Sequence, residues 1–201
     1  MMWFLNDCTV PSHMCAENVF TDDEVSQIVA MGLQFNEEKA EIVGPIEDVS
    51  KLDTSVRNNS VRALPPKQEA QWIYEKVASA IDGINKHSYN YDVLYFDDLM
   101  MLEYKGSEKG HYIKHIDCSY DINASFALRK LSFIMQLSSN DDYEGGDLII
   151  YPDTNVKKKI VIPKKRGLIT VFPSNIIHEV TPVTKGNRLS LITWVYGPKF
   201  K

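Results

Sequence analysis

The sequence predicts a mainly β protein of the jelly-roll type, with two helices near its N-terminus. Three observations support this fold class. Seven short β-rich runs, separated by Gly, Asn, Asp and Pro, fill the chain from residue 91 onward, as in β-sandwiches and barrels. Two segments with helical periodicity precede these runs. The 201 residues suit one domain, and no flexible linker divides them.

The first helix is expected to begin at Thr21. The segment Thr21-Asp22-Asp23-Glu24 has the pattern of a capping box, in which the threonine and glutamate side chains each accept a backbone N–H from the other residue. Residues 36–66 are polar and rich in turn-forming residues, so we predict an irregular segment there. A second helix is predicted over 67–84, where apolar residues recur at helical spacing.

The β-rich runs supply the expected strands of the core. We therefore divide the single domain, residues 1–201, into a helical support layer with a long loop over 1–90 and a jelly-roll core over 91–201. The helices should pack on one face of a sheet, because each must bury its apolar side. The runs span 91–96, 99–104, 128–137, 148–151, 168–172, 176–181 and 189–196.

Composition limits the possible functions. Hydrophobic residues make up 44% and charged residues 24% of the chain, which is typical of a soluble globular protein. The net charge of −5 gives no overall attraction to nucleic acid or to an anionic membrane, so neither partner is expected. No run of about 18 apolar residues is present, and the three cysteines have no metal-binding or redox spacing. These features predict a soluble, cytoplasmic protein.

A candidate metal site begins at His115-Ile116-Asp117. Alternate residues of a strand point to the same side, so His115 and Asp117 can converge on one ion. His178 lies in a distant β-rich run and is the candidate third ligand. Two imidazoles and one carboxylate form the set that holds non-haem Fe(II) while leaving positions open. The His-x-Asp pair alone is a weak signal, and taken by itself it is better explained by a plain polar strand face.

The residues around this pair strengthen the metal hypothesis. With them, the chain resembles the Fe(II)- and 2-oxoglutarate-dependent oxygenases, in particular the prolyl-4-hydroxylase-like branch and its PKHD-type hydroxylases. The resemblance covers about residues 20–197 and implies a double-stranded β-helix, with Fe(II) bound by His115, Asp117 and His178. The motifs that carry it are Tyr112-x-x-His115-x-Asp117, Gly167–Ser174, His178–Val183 and Gly186–Ser190.

The resemblance also implies a binding site for the cosubstrate 2-oxoglutarate. Arg188 matches the basic residue that holds its far carboxylate, and Tyr104 matches a cosubstrate-binding tyrosine. Ser190 is expected on the same strand face as Arg188 and is a further candidate contact. Two positions depart from the family pattern. Many prolyl hydroxylases have lysine in place of Arg188, and some relatives have a second tyrosine where this chain has Gln136, which we expect to make a polar contact instead.

The implied reaction couples oxidative decarboxylation of 2-oxoglutarate, giving succinate and CO2, to hydroxylation of an aliphatic C–H bond. Fe(II), 2-oxoglutarate and O2 are needed, ascorbate is expected to support the reaction, and no catalytic residue beyond the metal ligands is implied. Asp117 favours hydroxylation, since halogenating relatives lack this ligand. The leading substrate is a prolyl residue in a peptide or protein. A free amino acid, small metabolite or nucleobase is an alternative, as is a non-catalytic jelly-roll binding module.

Several further residues are candidates for substrate contact. Arg57 and Arg62 lie in the long segment 41–63, which we expect to act as a closing lid. Tyr112 and Trp194 are candidates for the substrate side of the site, with core packing as the alternative for each. The basic hairpin 157–166 has two interpretations, a solvated face or a docking patch for an acidic protein or nucleic acid.

Overall fold

Two antiparallel β-sheets packed face to face form the core of the computed structural model, which describes residues 10–43, 50–118 and 127–199. Two helices, α1 (Asp22–Gly32) and α2 (Gln71–Ile84), pack against the larger sheet. The strands are β1 (Met14–Ala16), β2 (Glu38–Lys39), β3 (Ile42–Val43), β4 (Ser50–Lys51), β5 (Arg57–Asn58), β6 (Ser60–Leu64), β7 (Tyr95–Phe96), β8 (Leu99–Lys105), β9 (His111–His115), β10 (Ala127–Gln136), β11 (Tyr143–Gly145), β12 (Leu148–Tyr151), β13 (Ile160–Val161), β14 (Ile169–Pro173), β15 (Ile177–Val180) and β16 (Val183–Pro198).

The larger sheet has the strand order β1-β14-β10-β16-β8-β6-β2, and β7 and β11 also pair with β16. The smaller sheet has the order β13-β12-β15-β9-β5, and β3 and β4 form a separate hairpin. Strands that are neighbours in a sheet are often distant in sequence, as in β10 with β16. This arrangement is the jelly roll that the sequence predicts.

The larger sheet has an apolar cluster on each face. On one face, Val25 and Ile28 of α1 and Ile73 and Val77 of α2 pack against strand residues such as Phe133. On the other face, side chains of both sheets interdigitate, among them Tyr104, Ile150, Phe172, Val180 and Ile192. The helices therefore cover the back of the larger sheet, and the space between the two sheets remains for the site.

The local signals in the sequence predict the helices well. Glu24 N–H donates to the Thr21 hydroxyl and Thr21 N–H donates to the Glu24 carboxylate, which confirms the capping box. The second helix also lies where it is predicted, although its first residues, Gln68–Ala70, form a 3-10 turn. Among the described residues, no helix is long and apolar enough to cross a membrane.

Six of the seven predicted runs coincide closely with strands of the structure, and the strand prediction is less accurate elsewhere. The 91–96 run forms a strand only at Tyr95–Phe96, and the strands β1 and β9 do not appear among the predicted runs. The predicted irregular segment 36–66 contains strands β2 to β6, so that prediction was wrong for much of its length. Of these short strands, β5 pairs with β9 and β6 with β8, while β2 pairs with β6 and β3 with β4, so pairing rather than local propensity holds them. Residues 44–49 of the predicted lid lie outside the described residues.

Candidate active site

The two candidate histidine ligands face each other across neighbouring strands of the smaller sheet. His115, the last residue of β9, pairs in register with His178 of β15, and their ring centroids are 4.1 Å apart. Asp117 follows two residues after His115, and its backbone N–H donates to the Ser174 carbonyl at 2.9 Å. Strand pairing thus brings together residues that are more than sixty positions apart in the sequence.

The three side chains form a compact group. The distance from Asp117 Oδ1 to His115 Nε2 is 3.6 Å, and from Asp117 Oδ2 to His178 Nε2 it is 3.5 Å. All three potential ligand atoms lie within 4.8 Å of one another. This geometry brings together the predicted triad, and its donor set suits a divalent transition metal with open positions for other ligands.

Backbone hydrogen bonds orient both imidazoles. His115 Nδ1 lies 2.8 Å from the Ile113 carbonyl, and His178 Nδ1 lies 3.0 Å from the Ile176 carbonyl. A carbonyl oxygen can only accept, so each ring carries its proton on Nδ1 and turns the Nε2 lone pair toward Asp117. Both histidines use the carbonyl two residues earlier, which makes this orientation a property of the strand itself.

The Asp117 carboxylate is held from the larger sheet. Ser132 of β10 donates its hydroxyl to Asp117 Oδ2 at 2.7 Å, and the Ser132 and Ser174 hydroxyl oxygens are 3.0 Å apart. The Trp194 side chain also lies beside this carboxylate and favours its ionised form. These contacts hold Asp117, the one candidate ligand that lies outside a strand. Neither Ser132 nor Ser174 was predicted as a site residue from the sequence.

The protonation states suit metal binding. Burial, followed by the proximity of His178, lowers the pKa of His115 to about 3, so this imidazole is neutral at pH 7. Burial opposes ionisation of Asp117, but the two imidazoles, the hydrogen bond from Ser132 and the Trp194 side chain beside it outweigh burial and hold the Asp117 pKa below its usual value. The group therefore offers neutral imidazole and ionised carboxylate, the forms that bind a divalent cation.

Arg188 lies in β16, on the inner side of the larger sheet. It is only 2% exposed, and its Nη1 donates to the Ser190 hydroxyl at 3.2 Å. The guanidinium carbon is 5.4 Å from the centroid of the Tyr104 ring. Among the described residues no carboxylate pairs with Arg188, so this buried cation lacks the partner that such groups normally have. Arg188, Ser190 and Tyr104 thus come together as the sequence predicts.

Gln136 and Tyr143 line a narrow cavity beside Arg188. Gln136 Nε2 donates to the Tyr143 hydroxyl at 3.0 Å and to the Ser138 carbonyl at 3.1 Å. Gly146 allows the Arg188 side chain to approach the backbone closely, since a Cβ atom at residue 146 would lie 3.2 Å from Arg188 Cδ. The φ of +62° at this position also suits glycine. Tyr143 was not among the site residues predicted from the sequence. Its polar contact with Gln136 is the signal that reveals it.

Two aromatic side chains border the triad. The Tyr112 ring stacks on His115 with centroids 3.5 Å apart, and the Arg57 guanidinium carbon is 4.9 Å from the Tyr112 centroid. Trp194 lies beside Asp117, and the guanidinium carbon of Arg129 is 3.9 Å from its ring centroid. The predicted candidates Tyr112, Trp194 and Arg57 are therefore next to the triad, together with Arg129, which the sequence did not single out.

Arg62 lies elsewhere. Its guanidinium is buried in the larger sheet, where it donates to Glu103 at 2.9 Å and to Glu37 at 2.7 Å. Both terminal nitrogens of the Arg62 guanidinium thus bind carboxylates of the chain itself. This geometry favours a structural role for Arg62 over the predicted substrate contact.

Part of the basic hairpin is also engaged within the protein. Lys164 pairs with Asp147 at 2.9 Å, Lys165 pairs with Glu17, and Arg166 donates to the Ser26 hydroxyl. These contacts favour a solvated structural face over a docking patch, because surface charges paired in this way offer less to a partner.

Comparison with known proteins agrees with this site. Residues 99–196 match the sequence profile of the family described as the 2OG-Fe(II) oxygenase superfamily. A PKHD-type hydroxylase from Alteromonas mediterranea is 36% identical over 92 residues, which cover 44% of this chain and 39% of that protein. A PKHD-type hydroxylase from Polaromonas sp. is 38% identical over 88 residues, covering 42% and 37% of the two chains. The matched segment thus spans about two fifths of these relatives.

Solved structures share the fold. A Pseudomonas putida prolyl-4-hydroxylase superposes with a TM-score of 0.71 at 18% identity, covering 94% of each chain. A Trichoplax adhaerens prolyl hydroxylase, in complex with a peptide fragment of the hypoxia inducible factor oxygen degradation domain, gives 0.71 at 20% identity over 92% of this chain and 84% of that one. In its profile match, its jelly-roll fold and its His-Asp-His group, this chain is similar to the proteins of the 2OG-Fe(II) oxygenase superfamily.

Proposed function

We propose that the protein is an Fe(II)- and 2-oxoglutarate-dependent dioxygenase that hydroxylates an aliphatic C–H bond, most directly that of a prolyl residue in a peptide or protein, with release of succinate and CO2. The observation that carries the proposal is the juxtaposition of a three-ligand metal group with a buried arginine that has no carboxylate partner among the described residues. A metal ion would complete the three-ligand group, and a dicarboxylate cosubstrate would neutralise the buried arginine.

The triad fits Fe(II) in both donor type and number. His115, Asp117 and His178 would hold the ion through Nε2 and carboxylate oxygen atoms, leaving positions for the cosubstrate and O2. A closed structural zinc site normally has four protein ligands, often cysteines, and only three side chains converge here among the described residues. The bound iron and 2-oxoglutarate supply the oxidising chemistry, while the protein supplies binding and orientation. The carboxylate ligand favours hydroxylation over halogenation.

The cavity beside Arg188 fits the far carboxylate of 2-oxoglutarate. A guanidinium is planar and can form two parallel hydrogen bonds with a carboxylate. Burial raises the pKa of Tyr104, so its phenol keeps its proton and can donate a further bond. The Tyr143 hydroxyl accepts from Gln136, which leaves its own proton free to point at the cosubstrate. Gln136 would then act by positioning Tyr143 rather than by replacing a tyrosine directly.

The choice of a prolyl substrate is supported by the kinds of protein that this chain resembles. Two solved structures with the same fold are described as prolyl hydroxylases, one of them holding a peptide. The same chemistry on a free amino acid, small metabolite or nucleobase is the second candidate. A binding module without activity is disfavoured, since the triad and Arg188 are complete and correctly oriented.

The proposal is tested by measuring succinate formation from 2-oxoglutarate with Fe(II) and ascorbate, with and without proline-rich peptides. We expect turnover that increases with peptide in the wild type and disappears in His115→Ala, because the metal group loses a ligand. His111→Ala is the matched control, since His111 lies on the same strand and outside the triad.

Two results would contradict this assignment, namely no succinate under any condition or unchanged turnover in His115→Ala. Turnover in the wild type that does not respond to any peptide would favour the small-molecule candidate. Binding of Mn²⁺, followed by electron paramagnetic resonance, checks independently that the His115→Ala variant has lost its metal site.

A further inference from the structure

Two arginines of the described chain lie beside the triad, and each is stacked on an aromatic ring that contacts a metal-ligand candidate. Arg57 lies over Tyr112, which stacks on His115. Arg129 lies over Trp194, which lies beside Asp117. The candidate metal group is therefore flanked by two cations, one adjoining the histidine and the other adjoining the aspartate.

Arg57 has unused hydrogen-bonding capacity. The side chain is half-buried, and its Nε donates to the Asn59 side-chain oxygen at 2.7 Å. Among residues 10–43, 50–118 and 127–199 no carboxylate pairs with it, and no other side-chain hydrogen bond uses its two terminal nitrogens. Those two nitrogens form the end of the planar fork that binds a carboxylate through parallel bonds.

Arg129 is held in place in a similar way. Its Nε donates to the Tyr196 hydroxyl at 3.0 Å and its Nη1 to the Asp117 backbone carbonyl at 3.3 Å. The Trp194 ring supports one face of the guanidinium at 3.9 Å. No ion pair compensates its charge within the described part of the chain. The charge is thus fixed in position but not neutralised.

A cleft of about 410 Å³ begins next to Asp117 and provides room for a peptide. It is lined by Cys118, which follows Asp117 in sequence, and by Arg129, Tyr91 and Asn175. This volume lies within the range of ordinary ligand sites.

We infer that the substrate is an acidic peptide, in which carboxylate side chains on the two sides of the hydroxylated residue bind Arg57 and Arg129. This inference rests on the proposed hydroxylase function and adds the chemical class of the substrate. Nucleic acid fits less well, because binding of a phosphate backbone uses a continuous basic groove with exposed rings for base stacking. Here the two guanidinium groups are separate, and each already covers the ring beside it.

The inference is tested with short fluorescent peptides that contain a central proline and a single Asp at varied positions before or after it. A matched peptide carries Asn in place of each Asp. Binding is measured by fluorescence anisotropy with Mn²⁺ and 2-oxoglutarate present, and hydroxylation is measured in parallel with Fe(II). The wild type is expected to bind the best Asp peptides about tenfold more tightly than their Asn counterparts, with a preference that falls as salt is added.

Arg57→Gln and Arg129→Gln should each abolish the Asp preference on one side of the proline and retain it on the other. Arg166→Gln is the matched control, since this arginine contacts Ser26 away from the triad. The ratio of Asp to Asn affinity is taken within one variant, so a change in the folded fraction does not alter it. Arg57→Lys, which keeps the charge but not the planar fork, should retain part of the preference.

Equal binding of Asp and Asn peptides would overturn the inference, even if both are hydroxylated and the proposed function stands. A preference that survives in both arginine variants would also overturn it, as would tighter binding of a single-stranded oligonucleotide through the same arginines. An Asp preference that depends on Arg57 and Arg129 but comes with no turnover would support the acidic peptide surface and overturn the hydroxylase proposal instead.

Discussion

Arg62 and Arg188 are both buried arginines on strands that flank β8, yet their surroundings differ in one respect. Arg62 is neutralised by Glu103 and Glu37, whereas Arg188, which is 2% exposed, bonds the Ser190 hydroxyl and has no carboxylate partner among the described residues. Burying an uncompensated charge is costly. The cluster around Arg62 is thus complete as folded, and the pocket around Arg188 agrees with our proposal that an anionic ligand completes it.

The largest effect is expected from Arg62→Met. Removing this guanidinium leaves two carboxylates without their buried partner, so the free energy of unfolding should fall by about 3–5 kcal/mol. Urea unfolding at neutral pH measures the change. Affinity for 2-oxoglutarate should stay within a small factor of wild type, and a large loss of affinity in a folded variant would place Arg62 in the site after all.

Arg188→Met should have the opposite pattern. The protein loses no internal ion pair, so its stability should change little, whereas the affinity for 2-oxoglutarate should fall by about 100-fold because a buried charge pair with the ligand is lost. Isothermal titration with 2-oxoglutarate in the presence of Mn²⁺ provides the measurement, with Arg166→Met as the control. If Arg188→Met destabilised the protein as much as Arg62→Met and kept its affinity for 2-oxoglutarate, the proposed difference between the two arginines would be wrong.

The smallest effect on stability is expected from Glu37, one of the two carboxylates that bind Arg62. Hydrogen bonds from Lys105 and Ser60 lower the pKa of Glu37 from 4.5 to about 2. Since the folded pKa is depressed, the stabilisation is present above pH 4.5 and is lost as the pH falls from 4.5 toward 2. The side chain is about one-third exposed, so the contribution should be about 1 kcal/mol or less.

Glu37→Gln should therefore flatten the decline in stability within that pH range while leaving the pH dependence above it unchanged. Thermal unfolding at a series of pH values compares the two proteins. Curves that remain parallel throughout the acidic range would show that Glu37 does not contribute in this way.

The sequence predicted features that depend on neighbouring residues or on strong patterns. The capping box at Thr21 is local, and His115 and Asp117 form a short motif at the end of strand β9. The contacts that complete the site depend instead on register between distant strands. Ser132 of β10 lies opposite Trp194 of β16, and Gln136 lies opposite Ser190. A shift of one residue would exchange the faces of these side chains, and nothing local in the sequence sets that register.

Strand β9 shows a second limit of sequence analysis. It carries two exposed residues, Ile113 and Lys114, in its five positions, so the alternation that marks a half-buried strand is weak. Its place in the sheet is fixed by pairing with β15 and β5. The triad was therefore predictable as a set of residue types, but the strand that positions His115 was not.

The support of Asp117 by Ser132 has a consequence for how the protein can move. The two histidines belong to the smaller sheet, while the aspartate is tethered to the larger one. A cation bound by all three would join the sheets at their open end, so ion binding and separation of the layers oppose each other thermodynamically. Any breathing motion wide enough to part the layers would therefore also loosen the ion.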